Sequence, residues 1–332
     1  MRHLFLYILS ALMLLTACGP GKDRMRLEGK FKNLTDAEFY VYADGDAFSG
    51  MDTVKIEGGK FTYERTLTEP TVLTLLYPNF SRTYIIGEPG KTLEFTANAE
   101  KLSEANVTGT DANERLTKFR LAAAQKQQSN MHLAAAMYVR DNAATPDALA
   151  VFMQYFSDVE NYNAKEALPL LDLLKKSQPR SGAVASLDTR LRPLLKNGEG
   201  QALMDFSATT IDGGSVKRSD YTGTKLLFVF FASWQTDSHV ALGELKRLQR
   251  AFGSNFKAVG VSLDYSKDEC RAIMQRDSVT VPVVCEGQAF ASPLMQNLGV
   301  RYVPGNLLIG ADGRVLGRDL KAARLEALLS KK

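Results

Sequence analysis

Few side chains in this sequence could do chemistry. It holds three cysteines, Cys18, Cys270 and Cys285, and three histidines. Fourteen residues separate Cys270 from Cys285, with no companion His or Cys at metal-ligand spacing. No metal is therefore expected, and nothing in the pattern calls for a cofactor. Three readings of the pair stay open. They form a structural disulfide across a short loop, stabilising by roughly 3 kcal/mol; they are two buried free thiols; or Cys285, with or without Cys270, is a redox centre. Ser238-His239 offers a nucleophile beside a base, but consecutive helix residues point to different faces. A plain helix start, with Thr236 or Asp237 as its cap, competes with that pair. His132 has no neighbouring ligand candidates.

Cys18 has a different context. Met1-Arg2-His3 is a short positive start, followed by an apolar run from Leu4 to Leu15 and then Thr16-Ala17-Cys18. The run is too short for a stable bilayer span, which needs about 20 apolar residues, and suits a secretory signal. Leu15-Thr16-Ala17-Cys18 resembles the lipobox of bacterial lipoproteins. That resemblance implies cleavage before Cys18 and lipid on its thiol and amine, anchoring the chain to a membrane. Signal 1–17 and a flexible tether 18–24 are the expectation, and Cys270 and Cys285 would be the only thiols left in an oxidising compartment.

The elements that must position these groups fall into three stretches. Residues 25–108 alternate between apolar and polar side chains in short runs. Phe39–Tyr42 is followed by the turn Ala43-Asp44-Gly45-Asp46, and Gly58-Gly59 is a hairpin signal between Asp52–Ile56 and Phe61–Arg65. An all-β sandwich of about seven strands is expected. Residues 109–197 switch to a helical period, with a start at Thr145-Pro146-Asp147 and a break or kink at Pro169. A stripe of Met131, Met137, Tyr138, Met153, Tyr155 and Phe156 reads as helix core rather than a ligand groove. Residues 198–332 alternate strands and helices, the pattern of an α/β layer. Leu226–Phe231 and Ala258–Leu263 read as buried strands, and Asp237–Arg250 as a helix with Val240, Leu242, Leu245 and Leu248 inward. The net charge of +4 is spread along the chain without a basic stripe, which excludes nucleic acid as an expected partner.

Leu227-Phe228-Val229-Phe230-Phe231-Ala232-Ser233-Trp234 resembles the strand and aromatic turn before the active site of TlpA/ResA-like thiol–disulfide oxidoreductases. The resemblance continues through Val259–Asp264, Leu298-Gly299-Val300, Val303-Pro304 and Asp312-Gly313-Arg314. It implies a C-terminal thioredoxin-like fold over about 200–332. With the β-rich region, the helical region and the lipobox, it also implies a Gram-negative envelope lipoprotein, periplasmic or outer-membrane-associated. In the family, Cys-x-x-Cys follows the Trp at a helix N-terminus, where the helix dipole favours a thiolate. Here Gln235-Thr236-Asp237-Ser238 stand instead, and Val229 replaces a buried acid. The resemblance implies a cis bond at Val303-Pro304 beside a groove with Trp234 that takes an extended peptide. A non-catalytic binding or scaffolding role is the expectation, and an atypical oxidoreductase using Cys285 is the alternative.

Overall fold

The computed structural model describes residues 21–45, 50–125, 128–157 and 163–331. The expected signal segment, Cys18, the start of the tether and Asp46 lie outside the described residues. The chain forms two compact units, one of Met1–Val159 with Leu170–Asp188, the other of Glu160–Pro169 with Thr189–Lys332. Among the described residues, no helix is long and apolar enough to cross a membrane.

The first unit is built on eight strands: β1 (Arg24–Lys32), β2 (Ala37–Ala43), β3 (Asp52–Ile56), β4 (Lys60–Thr66), β5 (Thr71–Leu76), β6 (Arg82–Gly87), β7 (Thr92–Asn98) and β8 (Asn106–Thr108). They pair as two four-stranded sheets, β4-β1-β7-β8 and β3-β2-β5-β6. Period-two alternation turns Met25, Leu27, Phe31, Phe39, Phe61 and Phe95 into one shared core. Gly29 interrupts the apolar side of β1 because the Phe61 ring lies over it; a Cβ there would come within 1.9 Å of the ring. β1 already begins at Arg24, and the Asp23 carbonyl accepts the Leu67 N–H at 2.8 Å, so the last residues of the expected tether belong to the sheet.

Each sheet leaves an edge strand with unpaired backbone groups, which must find partners if buried. Helix α1 (Asp111–Ala124) supplies them. Asn113 accepts the Ile86 N–H (2.9 Å) and donates to the Ile86 carbonyl (2.7 Å) on β6. Thr117 makes the same double contact with Val107 on β8. Arg120 donates to Ala105 and Tyr84 carbonyls, one bond toward each sheet. Spaced at i, i+4 and i+7, these three side chains share one helix face and clasp the sandwich.

Helices α2 (Gln128–Asp141) and α3 (Pro146–Phe152) follow. α3 starts at Pro146 as expected, although the Thr145 hydroxyl donates to the Asn142 carbonyl rather than capping. Buried Asp147 accepts from Arg115 (2.8 Å) and from the Tyr138 hydroxyl (2.5 Å). Met153 and Phe156 of the expected stripe are buried, whereas Met137 is exposed. His132 packs edge-on against Tyr155 and Phe156. Of the break or kink expected at Pro169, a break does not occur: α4 (Ala164–Ser177) runs through it. The helix forgoes one backbone bond there, while buried Leu170, Leu171 and Leu174 hold it in place. α5 (Gly182–Lys196) completes the helical segment.

After its parts of α4 and α5, the second unit continues with a hairpin of β9 (Ser207–Thr209) and β10 (Ser215–Lys217), followed by an α/β layer. Its sheet has the order β13-β12-β11-β14-β15, from β11 (Lys225–Phe231), β12 (Phe256–Ser262), β13 (Val283–Cys285), β14 (Gly305–Ile309) and β15 (Val315–Arg318). β11, β12 and β13 run parallel, and β14 and β15 are antiparallel to their neighbours. Helices α6 (Asp237–Phe252), α7 (Lys267–Arg276), α8 (Pro293–Leu298) and α9 (Ala322–Leu329) flank it. The unbroken apolar run of β11 is explained by its two buried faces: Leu226, Phe228 and Phe230 enter one core, Leu227, Val229 and Phe231 the other. Architecture and strand directions are those of a thioredoxin-like fold behind a β-rich domain and a helical segment.

Candidate functional site

Parallel β11, β12 and β13 end on the same sheet edge where antiparallel β14 begins, so four loops gather there. In open α/β sheets this carboxyl edge is where ligands bind. β11 delivers the turn Ala232–Thr236 into α6; β12 delivers Leu263-Asp264-Tyr265; β13 delivers the segment after Cys285; and Tyr302-Val303-Pro304 enters β14. The Val303–Pro304 bond is cis, as expected.

Ser238 is fully buried, and its Oγ accepts the Ala232 N–H at 3.1 Å. The hydroxyl thus closes the turn instead of facing a ligand. His239 turns the other way: its Nδ1 lies 2.6 Å from Asp277 Oδ2, and Arg276 contacts the same ring. No Ser238–His239 pair forms. Gln235 points its amide at the Val303 carbonyl across a long 3.5 Å contact. Neither Thr236 nor Asp237 caps α6 with a side-chain bond; Thr236 is already helical, at φ −55° and ψ −40°. The chain winds early, and the Ser238 and His239 amides bond to the Gln235 and Thr236 carbonyls, so those donors need no cap.

Val240, expected inward, is 73% exposed. It sits two residues, about 200° around the helix, from Leu242. Ser238 takes the inward place one turn before Leu242. Val240 instead lines an apolar groove of about 300 Å³ with Val229, Ala241, Leu245, Pro304 and Leu320. Four aromatic rings stand out around this edge: Trp234 (56% exposed), Tyr265 (75%), Phe290 and Tyr302 (55%).

Sequence reasoning passed over the residue that holds the turn. Asp264 is fully buried and accepts from the Ser233 N–H (2.8 Å), the Ser233 hydroxyl (2.7 Å) and the Ser262 hydroxyl (2.7 Å). Its signal was available: an acid two residues beyond a serine at the end of a buried strand, with another serine just after the neighbouring strand.

Cys270 on α7 and Cys285 at the end of β13 are both buried free thiols, brought together in one core. Cys285 pairs in register with Ser262, and its Sγ lies 3.8 Å from the Asp264 carbonyl. Cys270 Sγ lies 3.9 Å from Met274 Sδ. The Cys270 S–H, helped by the Ser262 hydroxyl and the Gly287 N–H, pulls the Cys285 thiol below its ordinary range despite burial. Cys270 moves upward, because it donates to Cys285 and is itself desolvated. β13 is two strands from β11, roughly 10 Å at ordinary strand spacing, so these sulfurs are set back from the Trp234 turn.

Comparison with known proteins agrees with this division of the chain. Residues 25–116 match a domain of unknown function, DUF4369, and residues 200–317 match the AhpC/TSA family. Thioredoxin-like protein YneN of Bacillus subtilis is 28% identical over 91 residues, 26% of this chain and 54% of that protein, so the match spans about half of the relative's length. Among solved structures, a thiol-disulfide oxidoreductase from Bacteroides fragilis is 27% identical, covering 39% of this chain and 99% of its own, with a TM-score of 0.36. The thioredoxin domain of a thiol-disulfide oxidoreductase from Bacteroides vulgatus is 18% identical, covering 40% and 96%, with a TM-score of 0.37. By the family models, the thioredoxin-like domain described above is matched by the AhpC/TSA family and follows, in sequence, a domain matched by DUF4369.

Proposed function

We propose that the C-terminal domain is a binding module without thiol–disulfide exchange at the turn after β11, in a protein held at the cell envelope by lipid on Cys18. The observation that carries this reading is the occupancy of the active turn. Disulfide exchange needs a thiolate. Gln235 and Ser238 stand at the two positions where the resemblance expects sulfur, and the Ser238 hydroxyl is committed to the Ala232 N–H. Val229 offers no proton acceptor beneath them. What the edge keeps is a binding surface: exposed Trp234 and Tyr302, a cis Val303–Pro304 loop and an apolar groove. Aromatic faces beside an apolar groove suit the alternating side chains of an extended peptide.

The test has three parts. The purified soluble protein should show no turnover in an insulin-reduction assay. An extended, apolar-rich peptide should shift Trp234 fluorescence saturably, and Trp234→Ala or Tyr302→Ala should weaken binding of a labelled peptide at least tenfold. Cys18→Ser should release the full chain from the membrane fraction and abolish palmitate labelling. Reductase turnover by the native chain would overturn the non-catalytic reading; unchanged peptide affinity in both aromatic variants would overturn the groove.

A further inference from the structure

The buried thiols take no part in the binding reading, yet they are connected to the same turn. Cys270 and Cys285 share one core; Cys285 pairs in register with Ser262, and its Sγ lies 3.8 Å from the Asp264 carbonyl. Ser262 donates to Asp264, and Asp264 accepts both the N–H and the hydroxyl of Ser233, the residue before Trp234. Cys285 thus adjoins a set of polar contacts, Ser262–Asp264–Ser233, that ends beside the exposed tryptophan. The two cysteines come from different elements, α7 and β13, so a bond between them would fix that helix to the sheet.

We propose that Cys270 and Cys285 are a dithiol–disulfide couple, a site of oxidation whose state is transmitted through Ser262, Asp264 and Ser233 to the Trp234 turn. The oxidant is another disulfide, on a small molecule or a protein. The Cys285 thiolate attacks one sulfur of the incoming disulfide, forming a mixed disulfide and expelling the first thiolate, which takes up the proton Cys285 gave to solvent. Cys270 then loses its proton and attacks Cys285 Sγ, expelling the second thiolate, which picks up that proton. Two protein thiols become one disulfide, and the incoming disulfide becomes two thiols. Burial makes the first attack depend on opening of the segment after β13, so oxidation is slower than in the unfolded chain. Once formed, the bond removes the Cys285 S–H from the Asp264 carbonyl and redirects the Cys285 side chain beside Ser262, whose hydroxyl holds Asp264. This holds whatever the aromatic rim binds.

The test uses the full chain and glutathione disulfide. After native incubation, peptide mapping should recover residues 268–271 joined to residues 277–301, with no glutathione adduct accumulating. Trp234 is the chain's only tryptophan, and its emission should change with the same redox midpoint as the bond. Ser233→Ala should still form the disulfide while losing at least half of the emission change. Cys270→Ala, which leaves Cys285 without its partner, should stop at the glutathione adduct and give no such change. Recovery of both cysteines as free thiols after native incubation would overturn the couple. Disulfide formation with unaltered Trp234 emission, or an undiminished emission change in Ser233→Ala, would overturn the transmission.

Discussion

Ser238 decides whether the turn after β11 is a chemical centre or a structural joint, and a single substitution separates the two. Its Oγ is the acceptor for the buried Ala232 N–H at 3.1 Å. In Ser238→Ala that amide has no replacement acceptor on the same side chain, and an orphaned buried donor costs about 1–3 kcal/mol. The better helix propensity of alanine returns at most a few tenths, since the site lies in the first turn. The net expectation is a loss of about 2 kcal/mol. Urea unfolding followed by Trp234 fluorescence reads the second unit selectively, because no other tryptophan exists. With a slope of about 2 kcal/mol per molar urea, the midpoint should fall by about 1 M. Ser238→Cys keeps a weak acceptor and should fall by about half as much. A midpoint in Ser238→Ala within about 0.25 M of the parent would refute the structural role. Covalent labelling of Ser238 by a serine-reactive phosphonate would refute it more directly.

Restoring sulfur should restore chemistry: Gln235→Cys with Ser238→Cys puts two thiols one helical turn apart at the start of α6, and insulin reduction should appear where the parent shows none. Equal turnover by parent and variant would contradict the account of the turn. In the first unit, Asn113→Ala strands both backbone groups of Ile86 on the edge of β6 and should cost about 3 kcal/mol in denaturant unfolding followed by far-ultraviolet circular dichroism. A loss under 1 kcal/mol would mean that the clasp is decorative. Burial drives the Tyr77 hydroxyl up to about 12, and Tyr63, Tyr138 and Tyr155 also move upward, again chiefly through burial. Unfolded tyrosine ionises near pH ~10, so the unfolded state loses protons first. The stability these groups confer is complete below that pH and is lost as pH climbs through the folded values. Tyrosinate absorbance should therefore rise together with loss of structure above pH ~10, and Tyr77→Phe should reduce that alkaline sensitivity.

Periodicity carried the sequence reading furthest where one side chain meets one environment. The alternation of Met25, Leu27 and Phe31, and the unbroken run of β11, each have a single stable burial. Prediction weakened where a local rule met a competing contact. Val240 belongs to the apolar set by type, but Ser238 occupies the inward place one turn before Leu242, and Val240 is left outside. Pro169 breaks isolated helices, yet the buried leucines after it outweigh one missing bond in α4. Thr236 and Asp237 looked like caps, and early winding left them no amide to cap. The polar devices were the least legible. Asn113, Thr117 and Arg120 look like an ordinary solvated helix face until two sheet edges are set against them.

Asp264 is the clearest case of this, and it ties the site together. Among the described residues no ion pair reaches this carboxyl group, buried among serines, so its place depends on hydrogen bonds. Three donors supply them, and two belong to Ser233. The arrangement makes the geometry of the Trp234 turn a consequence of the ends of two different strands. A turn fixed in this way needs no sulfur to keep its shape. With Gln235 and Ser238 in the turn, the chain still presents an exposed Trp234 and a cis Val303–Pro304 bond at this edge. The same carboxylate accepts from Ser262, which pairs in register with Cys285. Sulfur is thus absent from residues 235 and 238 and present beside the side chains that support the Trp234 turn.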